Sequence, residues 1–356
     1  MKKLRIGQIS PLNLPVPPKK YGGSERVIYN LCEGLTKKGH EVFLFGTKNS
    51  KVSCNLIPIL DKGLWEKEVK DSGAYYAYEM AVIARKTKEL KIDILHDHLG
   101  PLSLPINGHN VPMIHTLHVP FMNKDRPWVY KKLNSKLVSI SFAQRKPEPN
   151  LNYVATVYNG IDLERFKFNP KPGKSFIWIG ELSPRKGIKE VIQIAKRARL
   201  KLTLVGRIPP PKQSNDYAFF QKYIKKELNK NNIKYIGEVP PSKLSYYYKK
   251  AKAFLFPLQW EEPFGLVMAE SMACGTPVVA FERGSVPEVV KDKETGFVVR
   301  PFEKDKKPNI KGFLQALKSI DSIDRRKCRE RAERKFSIQK MVDDYEKLYL
   351  KILSAY

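Results

Sequence analysis

The sequence of 356 residues predicts an α/β fold of two doubly wound, Rossmann-like domains in tandem. Strand-like apolar segments alternate with segments of helical periodicity along the chain. A stretch rich in Pro, Lys and Gly at 166–174 interrupts this alternation, and the same pattern restarts after it. We therefore predict an N-terminal domain over 1–168, a C-terminal domain over 174–335 and a final helix over 336–356 that returns to the N-terminal domain.

The N-terminal half begins with a strand, a helix and a second strand. From Val27 to Leu35, apolar residues recur at helical spacing, with Ser24 as the predicted N-cap and Gly39 as the stop. The segments that predict strands are LRIGQIS, EVFLFG, DILHDH, PMIHTLH, LVSIS and YVATVYNG.

The C-terminal half repeats the alternation. Its predicted strands are SFIWIG, KLTLVG, IKYIGE, AFLFP and PVVAF. Its predicted helices lie near 187–199, 216–230, 242–251, 265–274 and 311–320. In the final segment, an apolar stripe from Ile338 to Ile352 predicts one more helix.

Composition limits the classes of protein to consider. No apolar run approaches the roughly 20 residues that a membrane-spanning helix needs, and the N-terminus lacks the apolar stretch of a secretory signal. The cysteines, which are Cys32, Cys54, Cys274 and Cys328, show no paired spacing. This pattern favours a reducing compartment over a disulfide framework, so we expect a cytoplasmic protein.

The net charge is +29, with +11 on residues 1–170 and +18 on the rest. Such a field favours anionic partners, among them nucleic acid, acidic lipid and phosphorylated substrates. The alternative is a lysine-rich surface that only interacts with solvent.

Two carboxylates, Glu262 and Glu270, flank the apolar sequence PFGLVMA. Pro263 and Gly265 predict that a helix begins near 264–265, which leaves Glu262 in the preceding loop and Glu270 just inside the helix. The residues around Glu270 are apolar on all sides, which is typical of a buried helix, and a buried carboxylate needs a partner. Both carboxylates can face a pocket at the helix N-terminus, where N–H groups favour a phosphate. We therefore predict a site for a sugar nucleotide; the alternative is a structural Glu270 bonded to nearby backbone.

The segment EEPFGLVMAESMACGTPVVAFERGSVPEVV, followed by TGFVV, resembles the donor-site signature of family 4 glycosyltransferases. YGGSERV, GHEV, DILHDH, HTLHVP, VYNGIDLERF and GELSPRKG also occur in the family's order, so the resemblance covers nearly the whole chain. It implies the GT-B fold, in which two Rossmann-like domains face a cleft, and retaining hexosyl transfer without a metal or other cofactor. The implied donor is a UDP-, GDP- or ADP-sugar bound by the C-terminal domain, with the acceptor on the N-terminal domain.

The resemblance also implies roles for individual residues of the C-terminal domain. Glu262 would bind hydroxyls of the transferred sugar, Glu270 would bind the ribose hydroxyls, and Lys186 would contact the leaving phosphates. The diphosphate would also contact the backbone of Phe264, Gly265 and Leu266.

Within GELSPRKG, Glu181 stands where the resemblance leads us to expect an arginine. An acid there would repel a diphosphate, and Arg185 or Arg207 would restore the positive charge. Adjacent strands lie roughly 5 Å apart, so we predict that Arg207, just after the next strand, reaches the phosphate site and pairs with Glu181 or with the donor. The departure also keeps open a sugar-nucleotide-binding protein with little or no turnover.

In the N-terminal half, Gly22 and Gly23 lie between a Pro-rich loop and a predicted helix start. Glycines let the backbone approach a ligand closely, and a helix N-terminus favours an anion. A tight loop without a ligand is the alternative, and the place of this pair after the first strand, which matches the family, favours the ligand-binding interpretation.

Five of the six histidines fall between 96 and 118. His96 and His98 share one strand face, but no acidic or cysteine partner recurs at a zinc-ligand spacing, so we predict no metal site. The resemblance implies that His118 contacts the donor sugar near its reacting carbon and that His96 or His98 lines the acceptor side. For His109 and His115 we expect structural roles.

Three basic segments have alternative interpretations. For DRRKCRERAERK at 324–335 we favour a solvated helix face with i,i+4 pairs over phosphate binding. YYYKK at 246–250 mixes aromatic residues with lysine as nucleic-acid binders do, but no nucleic-acid-binding motif accompanies it. PWVYKKLNSKL at 127–137 favours peripheral contact with an anionic membrane and a phosphorylated or lipid-linked acceptor.

The sequence thus predicts a glycosyltransferase that moves a sugar from a nucleotide sugar to an unidentified hydroxyl acceptor. A sugar-nucleotide-binding protein without turnover is the first alternative. A nucleic-acid-binding protein, suggested by the charge, is the second.

Overall fold

The structure, a computed structural model, describes residues 2–20, 22–106, 111–211, 213–230, 232–303 and 305–356. The chain divides into two compact units. One consists of Met1–Ile161 with Ser337–Tyr356, and the other of Asp162–Phe336.

The first unit contains a parallel sheet of seven strands in the order β3-β2-β1-β4-β5-β6-β7. Its strands are β1 (Arg5–Ile9), β2 (Glu41–Thr47), β3 (Asn55–Leu60), β4 (Ile94–Asp97), β5 (Met113–Leu117), β6 (Leu137–Ser139) and β7 (Tyr153–Thr156). The helices connecting these strands are α1 (Gly23–Lys37), α2 (Ser72–Glu89) and α3 (Asp125–Lys132). The sheet interior is apolar, and β2 and β5 are buried over nearly their whole length.

The sequence patterns missed β3 and α2. Pro58 interrupts the strand pattern of β3, and the strand lies at the sheet edge, where proline is tolerated because one side of the strand needs no ladder hydrogen bonds. The predicted N-cap at Ser24 is wrong. Helix α1 begins at Gly23, and Gly22 occupies the N-cap position with φ 139°.

The second unit contains a parallel sheet of six strands in the order β10-β9-β8-β11-β12-β13. The strands are β8 (Ser175–Ile179), β9 (Leu202–Val205), β10 (Ile233–Gly237), β11 (Ala251–Phe256), β12 (Val278–Phe281) and β13 (Gly296–Val299). The helices are α4 (Ile188–Arg197), α5 (Ser214–Phe219), α6 (Pro241–Lys250), α7 (Leu266–Ala273), α8 (Val286–Val289), α9 (Ile310–Lys318) and α10 (Arg325–Phe336). The strand order reverses at β8, so the loops after β8, β9 and β11 meet at a topological switch point, where ligands of doubly wound sheets bind.

The helix predicted near 216–230 is wrong as a single element. The segment 216–230 is not continuous: α5 ends at Phe219, a π-helical turn spans Phe220–Ile224, and a 3-10 turn spans Lys225–Glu227. Strand β13 was not predicted as a strand.

Helix α10 forms one of the predicted i,i+4 pairs, Arg329 with Glu333 at 2.6 Å, but three of its arginines are not simply solvated as predicted. Arg325 is buried and donates three hydrogen bonds. Arg329 donates to the carbonyl of Ala273 at 3.0 Å, and Arg331 donates to the carbonyl of Val289 at 2.6 Å. These two carbonyls end α7 and α8, and cations at helix C-termini are favourable because they meet the negative end of the helix dipole.

The last helix, α11 (Ile338–Ser354), belongs to the first unit, as predicted. Its apolar stripe is buried, and Val342 packs so closely against Gly34 of α1 that a Cβ atom on the glycine would overlap it. On the same helix, Glu346 accepts a hydrogen bond from His40 at 2.8 Å. Within the described ranges, no helix is long and apolar enough to cross a membrane.

Candidate active site

Three loops of the second unit, which follow β8, β9 and β11, approach each other closely at two glycines. Gly187 has φ 72°, and a Cβ atom there would overlap the carbonyl of Pro257 in the loop after β11. Gly206 has φ 149°, and a Cβ atom there would overlap the carbonyl of Gly180 after β8. Both positions require glycine, because side chains rarely adopt these φ angles and no space is left for them. The close approach brings the charged residues of the three loops together.

Glu181 follows β8 and is held between two arginines. Its side chain is 1% exposed. Arg207 Nε donates to Oε2 at 2.6 Å and Arg185 donates to Oε1 at 3.1 Å, so the predicted pairing of Arg207 with Glu181 is confirmed. A buried carboxylate costs free energy unless it is paired, and here two cations compensate one anion. The acid that replaces the expected arginine therefore leaves a net positive group.

Lys186 and Glu262 form the next pair. Lys186 Nζ donates to Glu262 Oε2 at 2.7 Å, and Trp260 Nε1 donates to the same oxygen at 2.9 Å. The ammonium lies 4.6 Å from the centroid of the Trp260 ring, within range of a cation–π interaction. Sequence reasoning missed Trp260, although its place two residues before Glu262 in a loop after a strand was an available signal.

Helix α7 begins directly after this loop. Gly265 occupies the N-cap position with φ 75°, and no side chain caps the helix. The ring of Phe264 is buried against Phe336, with ring centroids 5.6 Å apart, so its backbone is the part of the residue that can serve a ligand. The helix start at Leu266 thus offers N–H groups without side-chain competition, which suits an anion.

Glu270 is buried inside α7, as its apolar surroundings predicted. The hydroxyl of Tyr248, from α6, donates to Oε2 at 3.2 Å. The acid therefore has an internal partner from a neighbouring helix, which sequence reasoning missed because YYYKK gives no sign of which tyrosine is buried. The predicted contact of Glu270 with a ribose stays a prediction.

In the first unit, a cavity of about 390 Å³ lies at the carboxyl ends of β1, β4 and β5. Gly22 and Gly23 at the start of α1 line it, together with His98 and His118. A Cβ atom on Gly22 would lie 2.9 Å from Glu25 Oε2, so the glycine leaves room for this carboxylate. The cavity is thus lined by residues from three separate segments of the sequence that were predicted to be site residues.

Several polar groups of this cavity were not predicted. Burial raises the pKa of Glu25, and burial together with the carboxylates of Glu79 and Glu25 raises the pKa of Tyr76 to about 12. The hydroxyl of Tyr130 is buried and has no hydrogen-bond partner among the residues that the structure describes. These groups offer hydrogen bonds to a polar ligand.

The histidines divide between the cavity and the core. His98 and His118 line the cavity and are hydrogen-bonded to each other at 2.8 Å. His96 is fully buried, and Nδ1 of the buried His115 contacts Asp97 at 3.0 Å, while His109 lies outside the described residues. In the part of the chain that the structure covers, no group of three or more His, Cys, Asp or Glu could hold a metal ion.

Comparison with known families gives one match in each unit. The family "Glycosyl transferases group 1" matches residues 161–335, and "Glycosyltransferase Family 4" matches residues 21–146. The chain belongs to the family 4 glycosyltransferases. The resemblance seen in the sequence motifs is thereby confirmed.

Three proteins illustrate what this glycosyltransferase is similar to over nearly its whole length, each at low identity. Spore coat protein SA of Bacillus subtilis (strain 168) is 23% identical over 98% of this chain and 100% of its own length. The structure of sucrose-phosphate synthase from Thermosynechococcus elongatus has a TM-score of 0.79 at 20% identity, covering 99% of this chain and 100% of that chain. The structure of HepE from Anabaena in complex with UDP and glucose has a TM-score of 0.74 at 16% identity, covering 99% and 100%. The structural likeness confirms the predicted GT-B fold.

Proposed function

We propose that this glycosyltransferase transfers a hexose from a nucleoside-diphosphate sugar to a hydroxyl acceptor, with retention of the anomeric configuration and without a metal ion. The observation that carries the proposal is the Lys186–Glu262 pair beside Trp260, at the switch point of the second unit. It combines a cation for a phosphate with a carboxylate for sugar hydroxyls.

The diphosphate binds to the cations and to the helix start. Lys186 contacts the leaving phosphate, and Arg207, oriented by Glu181, supplies the charge that the family arginine would carry. Arg185, which is bound to the same carboxylate, adds a second guanidinium. The backbone at Gly265 and Leu266 donates to phosphate oxygens. The HepE structure, which contains UDP, supports a nucleoside diphosphate as the shared part of the donor.

The hydroxyl groups of the donor bind to carboxylates. Glu262 accepts hydrogen bonds from the transferred sugar and Glu270 accepts them from the ribose. In the absence of donor, Lys186 donates to Glu262 and Tyr248 donates to Glu270. These side chains and the hydroxyls of a bound donor therefore share the carboxylate oxygens.

During transfer, the bond between the anomeric carbon and the leaving phosphate oxygen breaks, and its electron pair stays on the phosphate. Lys186 and Arg207 stabilise the charge that develops there, which is the usual largest contribution to catalysis. The acceptor oxygen then bonds to the same face of that carbon, and its proton passes to the leaving phosphate. The configuration is therefore retained.

The cavity of the first unit holds the acceptor hydroxyl, and His118 contacts the sugar near its reacting carbon. Its polar groups, which include the hydroxyl of Tyr130, and its aromatic wall suit a hydroxylated acceptor. Arg126 lies on the same wall and suits a phosphate on that acceptor.

The surface beside this cavity supports peripheral contact with an anionic membrane. Trp128 of α3 is 62% exposed and Met122 is 81% exposed. Arg126, Lys131 and Lys132 are exposed on the same segment. Apolar side chains flanked by cations bind anionic lipid surfaces, so a lipid-linked acceptor fits this arrangement.

Titration with UDP-, GDP- and ADP-sugars, read by thermal stabilisation and calorimetry, tests the donor site. We expect one nucleotide class to bind, and Lys186→Met to weaken its binding by at least about tenfold, because a charge-assisted contact is lost. Lys189→Met is the matched control, because Lys189 lies three residues away on the exposed face of α4. Equal binding by both variants would overturn the role of Lys186.

A further inference from the structure

A buried hydrogen-bond network connects His118 to helix α11 through Gln8 and His98. Gln8 is fully buried in β1, and its amide contacts two partners. Its Nε2 donates to the hydroxyl of Tyr349 at 3.1 Å, and its Oε1 lies 2.8 Å from His98 Nε2. An amide oxygen only accepts hydrogen bonds, so Nε2 of His98 carries a proton.

The state of His98 determines that of His118. Burial, reinforced by His96 and His118, holds the pKa of His98 well below its usual range, so the ring is neutral and has a single N–H. That N–H is at Nε2, and Nδ1 is therefore an acceptor. His118 Nε2 lies 2.8 Å from this acceptor, so it must be the donor.

His118 is neutral as well, because burial lowers its pKa to about 4 against the opposing effect of Asp97. With its proton on Nε2, its Nδ1 has a lone pair and no N–H. Among the described residues, only His98 is hydrogen-bonded to the ring of His118. The remaining ring nitrogen is therefore available to a ligand in the cavity that His118 lines.

Helix α11 contacts the Gln8 amide through the hydroxyl of Tyr349. The hydroxyl of Tyr349 accepts from Gln8 and lies 2.6 Å from Nδ1 of His96. Because the hydroxyl accepts from Gln8, its own proton is available for Nδ1. His96 is neutral because burial lowers its pKa, and its Nε2–H points to Thr116 Oγ1 at 2.7 Å. If the Gln8 amide were flipped, its oxygen would accept the single hydroxyl proton of Tyr349. Each donor in the network would then become an acceptor, and each acceptor a donor.

We propose that Gln8 and His98 are positioning residues that hold His118 as the Nε2–H tautomer, so that Nδ1 accepts a hydrogen bond from a substrate hydroxyl. The importance of this tautomer for transfer rests on the proposed function, whereas the tautomer itself does not. An imidazole held in the wrong tautomer presents a donor where the reaction needs an acceptor. Tyr349 supports the same state from α11.

Imidazole nitrogen NMR of protein labelled with ¹⁵N-histidine tests the tautomer directly, without substrate. The chain has only six histidines, and His118→Ala assigns the His118 signals by their loss. At pH 7 we expect a protonated Nε2 and an unprotonated Nδ1. A proton on Nδ1 of His118 would overturn the inference and leave the glycosyltransferase assignment untouched.

Two tyrosine variants of α11 separate the network from helix packing. Tyr349→Phe removes the hydroxyl that Gln8 contacts, whereas Tyr345→Phe removes a hydroxyl bound to Thr116 and leaves the Gln8 contacts in place. We expect Tyr349→Phe to populate the Nδ1–H tautomer of His118, and to lower kcat about tenfold more than Tyr345→Phe with a similar KM for the donor. An unchanged tautomer in Tyr349→Phe, or equal losses of kcat in both variants, would contradict the proposal.

Discussion

Glu181 shows how one residue can depart from a family pattern without losing the charge that the site needs. The acid is buried and bound by Arg185 from its own loop and by Arg207 from the loop after β9, so two guanidinium groups surround the position of the expected arginine. The group as a whole stays positive, which is what a diphosphate requires.

Replacement of Arg207 tests this exchange. We expect Arg207→Ala to weaken donor binding by about 1–3 kcal/mol, because a charge-assisted hydrogen bond is lost. Adding Glu181→Arg should recover part of the loss, because it restores the expected arginine. Arg197→Ala, an exposed arginine at the end of α4, is the control for the loss of one positive charge. Donor titration by calorimetry decides, and Arg207→Ala binding like the parent would show that Arg207 only neutralises Glu181.

Glu270 is the second residue whose role a titration can settle. If it holds the ribose, Glu270→Ala should lower donor affinity by more than tenfold, whereas Tyr248→Phe, which keeps the carboxylate, should change affinity by less. Donor titration and a melting curve of each variant separate binding from folding. A lower melting temperature with unchanged affinity per folded molecule would assign Glu270 a structural role instead.

At the scale of elements, α10 illustrates what a sequence pattern cannot show. Seven lysines and arginines in twelve residues indicate a solvated helix, and periodicity gives no sign that carbonyl groups of other helices lie beside them. Arg325 donates to two carbonyls and to Thr276, so it joins α10 to the segment before β8, to the first residue of β11 and to the segment before β12. Helix α10 is therefore held in place by hydrogen bonds from its charged arginine side chains as well as by burial of its apolar side chains.

Arg325 and its neighbour Arg326 form a matched pair for a stability measurement. Arg325→Met should lower the free energy of unfolding by roughly 3 kcal/mol, because two buried acceptors and one partly buried acceptor lose a charged donor. Arg326→Met should change it by less than about 0.5 kcal/mol, because that side chain is exposed. Urea unfolding of both variants gives the values, and equal losses would mean that the Arg325 bonds add nothing to stability.

At the scale of the whole molecule, the sequence predicted more of the fold than of the candidate site. Alternation of strand-like and helical segments identified the strands that carry the loops of the site, since buried parallel strands are short runs dominated by apolar residues. Pro263 and Gly265 marked the helix start between Glu262 and Glu270. Trp260, Tyr248 and Gln8 could not be predicted, because their roles depend on contacts between distant segments, such as the bond from Gln8 to Tyr349 across 341 positions.

The charge of the whole molecule leads to a prediction about membranes. With a net charge of +29 and exposed Trp128 and Met122 beside the cavity of the first unit, we expect the protein to bind vesicles that contain anionic lipid. Flotation at physiological salt measures the bound fraction. Trp128→Ser with Met122→Ser should reduce binding, because their apolar area no longer inserts. Equal recovery with neutral and anionic vesicles would count against membrane contact.

The most direct test of the account is consumption of a nucleotide sugar. The purified protein is incubated with UDP-, GDP- and ADP-sugars, and release of the nucleoside diphosphate is followed by chromatography. We predict that one donor class is consumed, that the released or transferred sugar first appears in the configuration of the donor, and that Lys186→Met and Glu262→Gln each slow consumption by about 100-fold or more. Donors that bind and stabilise the protein but are never consumed would contradict this account and indicate a sugar-nucleotide-binding protein instead.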